Sequence, residues 1–133
     1  MSSRAALLAA LVLGVSVPLA RQDVTHPTEI AALRALQIIT ICQTVYRSEF
    51  GRYASSLAEL GPSGANLIPA SLALGQAGGY SFTLSGSDLR YVLNAAPHRF
   101  GKDGKRTFYT DQTMIVHQNW GQEPASADSP EFK

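Results

Sequence analysis

A single cysteine, Cys42, in 133 residues excludes an internal disulfide and the cysteine-based zinc sites. Charge is scarce and balanced. Eleven Lys and Arg stand against ten Asp and Glu, so no net field favours nucleic acid or another polyanion. The chain has no internal repeat, no phosphate loop and no cofactor-binding glycine motif. Its histidines, His26, His98 and His117, include no pair four residues apart, and they read as exposed or turn residues rather than metal ligands. Asp103 in GKDGK and Asp111 before Gln-Thr each stand too far from other carboxylates for a calcium loop. No nucleophile with its base and no carboxylate pair is visible, so neither an enzyme nor a cofactor is expected.

Long apolar runs are also missing. The longest, Ala5 to Ala20 in MSSRAALLAALVLGVSVPLA, falls short of the roughly 20 residues that span a bilayer, and Pro18 interrupts its end. One positive charge at Arg4, an apolar stretch and a small residue at Ala20 form the layout of a secretory signal peptide, residues 1–20. Cleavage is expected near Ala20, with Ser16 the next site; a retained membrane anchor is the competing reading. Processing would leave an exported chain with no membrane span. Cys42 lies within an apolar helix and reads as a packed thiol.

What is present is one domain over residues 21–119 and a small, polar, proline-bearing stretch, 120–133, expected to be a flexible tail. Pro27 suits a first helical turn and Glu29 the positive end of the helix dipole. No Gly or Pro follows until Gly51, which predicts a helix of about six turns ending near Glu49. One-turn helices are expected in SSLAEL and LIPASLAL. From Gly79 the apolar period becomes two: GYSFTL, LRYVLNAA, KRTFYT and MIVHQN read as four antiparallel strands in a meander. Tyr80, Phe82, Tyr91, Phe108 and Tyr109 alternate as sheet-packing residues do, a ligand-stacking role being the alternative. The fold class is α+β, one long N-terminal helix across a four-stranded sheet.

The segments AALRALQIITICQTVYRSEFGRYASSLAELG, LIPASLALGQAGGYSFTL and RTFYTDQTMIVHQN resemble, in order and spacing, the head domain of type IV pilins and type II secretion pseudopilins. The likeness spans Glu29 to Asn119. It implies a pilin-like fold and a non-enzymatic structural subunit, the globular head of a pilus or pseudopilus filament. The front of the chain departs from the family, because no acidic residue precedes Asp23 and the first glutamate is Glu29. Neither prepilin processing nor the usual anchoring helix carries over. The arrangement is most similar to a split pilin, whose apolar half-helix is a separate short chain. The resemblance then implies a homo- or hetero-polymer in the periplasm, at the cell surface or in an extracellular filament.

The helix itself asks for a partner. Ile30, Ile38, Ile39, Ile41, Cys42, Val45, Tyr46 and Phe50 cover an arc of about 200°, where packing on one core needs about 100°. If Ile39, Tyr46 and Phe50 meet the sheet, then Ile30, Ile38, Ile41 and Val45, with Leu33 nearby, form a partner interface; the wheel allows the two edges to be exchanged. The HRFGKDGKR turn gathers Arg99, Lys102, Lys105 and Arg106 as either a solvated loop or an anion-binding turn that meets an anionic surface or, as some pilin-like proteins do, DNA. A periplasmic module binding a small ligand or anion on a pilin-like scaffold is the alternative function.

Overall fold

The computed structural model describes residues 26–133. The signal peptide expected at residues 1–20 lies outside them. The chain is α+β, built from one long helix and a five-stranded antiparallel sheet.

Helix α1 runs Pro27–Phe50. Its start is fixed by reciprocal capping: His26 Nδ1 accepts from the Thr28 N–H at 3.3 Å, while Glu29 Oε1 accepts from the His26 N–H at 3.2 Å. Its end is fixed by Gly51, which takes φ = 75° and donates its N–H to the Arg47 carbonyl at 2.8 Å. Two single-turn helices follow, α2 (Leu57–Leu60) and α3 (Ala70–Ala73). The sheet then forms from β1 (Gln76–Ala77), β2 (Tyr80–Gly86), β3 (Tyr91–Pro97), β4 (Arg106–Asp111) and β5 (His117–Trp120), each hydrogen-bonded to the next in chain order.

The four expected strands are therefore joined by a fifth, β1, and the last of the four, expected from Met114, starts only at His117 because Met114 takes φ = 65° and continues the turn. Two residues are too few to show a period of two, and the strand exists because glycines turn the chain on either side of it. Gly75 sits at φ = +86°, and a Cβ there would come within 2.7 Å of the Phe82 carbonyl oxygen. Ala77 then pairs with Tyr80 across Gly78 and Gly79.

Register carries the core. Phe82 lies opposite Ala95, and Ala95 opposite Phe108, so one face presents Tyr80, Phe82, Tyr91, Leu93, Ala95 and Phe108 to α1. The helix answers with Ala32, Ala35, Leu36, Ile39 and Tyr46, all buried. Phe50, expected beside them, is half exposed and stacks on Tyr46 at 4.4 Å, because it falls in the last turn before the Gly51 cap.

The stretch after β5 is not the free tail its composition suggested. The Thr107 hydroxyl and the Asn119 amide donate to the Glu123 carbonyl, and the Asn94 amide to that of Ala125, whose side chain is buried. The strand edge then pairs with it: the Gln118 N–H donates to Pro130 O, and the Phe132 N–H to Val116 O, both at 2.8 Å. Phe132 ends with its ring edge-on to Phe108, centroids 6.0 Å apart. Polar side chains on the sheet's other face thus supply the strap's partners.

Candidate functional site

At 100° per residue, Ile30, Ile41, Val45 and Ile38 fall within about 80° on the side of α1 opposite its buried residues. They are 39–54% exposed. The stripe extends about 22 Å along the helix, and all four side chains are β-branched, so they enter a contact with little rotamer freedom left to lose. The expected interface edge is thus the outward one. Arg34 also lies exposed on this side.

Leu33 is set apart from the other four. It turns toward the sheet and, with Leu36, Met114, Val116 and Phe132, lines a cleft of about 270 Å³ between α1 and the β4–β5 end of the sheet. The two threonine hydroxyls at this cleft are already used: Thr40 donates to the Gln37 carbonyl at 2.8 Å and Thr110 to that of Ile115 at 3.0 Å.

The four cations of the basic turn are not equivalent. Arg99 grips Asp103 with two nitrogens, at 3.0 and 3.1 Å, and this hydrogen-bonded guanidinium holds the Asp103 carboxyl below its ordinary range. Arg106 is inside the molecule. Its Nε lies 3.3 Å from Glu29 Oε1, with the two side chains 5% and 3% exposed. It also donates to Gln118 at 2.6 Å and lies over the rings of Trp120, Phe132 and Phe108 at 4.4, 5.1 and 5.5 Å. Lys102 and Lys105 remain exposed.

Glu29 is the residue that the sequence undersold. Besides capping the helix and pairing with Arg106, its Oε2 accepts the Lys105 N–H at 2.9 Å. One signal was there to read: strand alternation puts Arg106 on the same face as Phe108, and an inward arginine needs a buried carboxylate.

The histidines are apart from one another. His26 caps α1, His98 is exposed in the β3–β4 loop, and His117 Nδ1 lies 2.8 Å from Ser129 O. Among the described residues no three potential metal ligands cluster. The Cys42 thiol donates to Leu67 O at 3.6 Å, and burial pushes its pKa up. Of the strand aromatics, Tyr80, Phe82, Tyr91 and Phe108 are core. Tyr109 is on the other face, its hydroxyl donating to Asp111 at 2.7 Å. Compared with protein-family models, curated proteins and solved structures, the chain matches none.

Proposed function

We propose that this chain is an exported, non-enzymatic structural subunit of a pilin-like filament, held by packing the outward stripe of α1 on an apolar helix of another chain. The observation that carries this reading is the stripe itself: Ile30, Ile38, Ile41 and Val45 exposed on the side of α1 that the sheet leaves bare. The element order, a long helix, a loop-rich connection and an antiparallel meander, is compatible with a pilin-like head and supports the same reading.

Energetics favour a polymer over a free binary complex. Burying what remains exposed of four aliphatic side chains gives about 3–6 kcal/mol gross. Association of two free proteins costs an estimated 4–15 kcal/mol, so the stripe alone holds no tight soluble dimer. In a filament each subunit meets several neighbours, and the later contacts form at high effective concentration. The ligand-binding alternative has the 270 Å³ cleft in its favour, but that space is below the usual range for small-molecule sites, and its hydroxyls are already bonded.

The experiment is to make the double variant Ile41→Asn/Val45→Asn and follow its co-purification with filaments or with a short apolar chain. Association should be lost while the fold is retained. A variant that associates as well as the parent contradicts the reading.

A further inference from the structure

The end of the molecule where α1 begins is distinct from the stripe. The β3–β4 loop is fastened there, through the Thr28 hydroxyl donating to the Asp103 carbonyl and through the Lys105 N–H donating to Glu29. Asp103 and Glu29 offset Arg99 and Arg106, so the remaining charge of the loop is Lys102 and Lys105. The carboxylate to set against them is Glu123, exposed and passing beside Gly121. Two large rings accompany the lysines: Phe100, 43% exposed, and Trp120, 53% exposed. Trp120 belongs to the same end because it pairs with Arg106 across the strands and because the Gly121 N–H donates to Lys105 O.

Exposed aromatics beside lysines are poorly suited to bulk water but well suited to a lipid boundary, where the rings settle at headgroup level and the ammonium groups meet anionic phosphates. The chain's position agrees. The 25 preceding residues rejoin the described ones at His26, at this same end, and they include the apolar run Ala5 to Ala20. Six residues, Arg21 to His26, separate that run from α1, a reach of at most about 20 Å. In the uncleaved chain, any membrane holding the run is therefore within reach of this end.

We propose that this end is a bilayer-contacting face, with Phe100 and Trp120 at the headgroup boundary and Lys102 and Lys105 on anionic phospholipid. It does not depend on the filament reading, since it uses neither the stripe nor a partner chain. Trp120 is the only tryptophan in the sequence, so its emission reports this face alone. The full chain is mixed with vesicles of phosphatidylcholine, with or without phosphatidylglycerol. The expected result is a blue shift, with quenching by headgroup-proximal brominated lipid, in the anionic vesicles only. Lys102→Glu/Lys105→Glu should abolish it and Glu123→Gln should enlarge it, with Phe100→Ser as a second loss that leaves the charges in place. The proposal is overturned if no shift occurs. It is equally overturned if both lipids and the lysine variant give the same shift, which would assign the contact to the apolar run alone, or if duplex DNA elicits the response and vesicles do not.

Discussion

Glu29 shows how much one side chain can settle. Its carboxylate caps α1, receives a loop N–H and neutralises Arg106 inside the molecule. Breaking such a pair leaves a buried charge without its counterpart, which costs more than exchanging both members for apolar residues. Glu29→Ala is expected to lower unfolding free energy by about 3–5 kcal/mol in urea titration, and Glu29→Met with Arg106→Leu to recover only part of it, since the His26 and Lys105 N–H groups stay without the carboxylate. A loss under about 1 kcal/mol for the single variant would mean that the pair is not buried. The sequence shows Glu29 as a helix-dipole partner but not its ion pair, because the two residues lie 77 positions apart. Two tyrosines make a second contrast. The Tyr80 hydroxyl donates to the Arg106 carbonyl at 2.7 Å, whereas the buried Tyr91 hydroxyl has no hydrogen-bond partner among the described residues. Burial raises both phenolic pKa values, so both stay neutral donors at ordinary pH. Tyr80→Phe should therefore destabilise by about 1–2 kcal/mol, while Tyr91→Phe should be neutral or stabilise slightly. Parallel denaturant titrations check the difference, and equal losses would refute it.

At the scale of elements, α1 has two apolar sides with opposite expected responses. Ile39 is fully buried against the sheet, so Ile39→Ala should cost about 2–4 kcal/mol through lost transfer energy and the cavity left behind. Ile41→Asn and Val45→Asn, on the outward side, should each change stability by about 0.5 kcal/mol or less. Thermal and urea melts of the variants check this, and a collapse at Ile41 or Val45 would make that side core. The surplus of apolar positions was legible in the sequence because a helix wheel needs only spacing. So were the bounds of α1, set by Pro27 and Gly51, and the four longer strands, set by their period of two. What escaped were features without local periodicity. β1 has only two residues. The strap after β5 looks like a tail because its own residues are small and polar; its order comes from Asn94, Thr107 and Asn119 on other strands, which in sequence are indistinguishable from solvated side chains. The basic turn was legible as a cluster but not as two ion pairs and two exposed lysines, since that division depends on where α1 and the loop meet.

At the scale of the whole molecule, the sheet is covered on one side by α1 and on the other in part by the strap, while α1 keeps its outer side bare. Among the described residues nothing lies on that side, and an uncovered aliphatic stripe invites association. The direct test places a photoactivatable cross-linker at position 41, on the stripe, and for comparison at position 83, where Thr83 is exposed on the sheet. Cross-linking is then induced in cells that express the protein. The account predicts a covalent adduct from position 41 to an apolar helix of another chain, located by mass spectrometry, and none from position 83. No adduct from position 41, or equal yields from both positions, would contradict it.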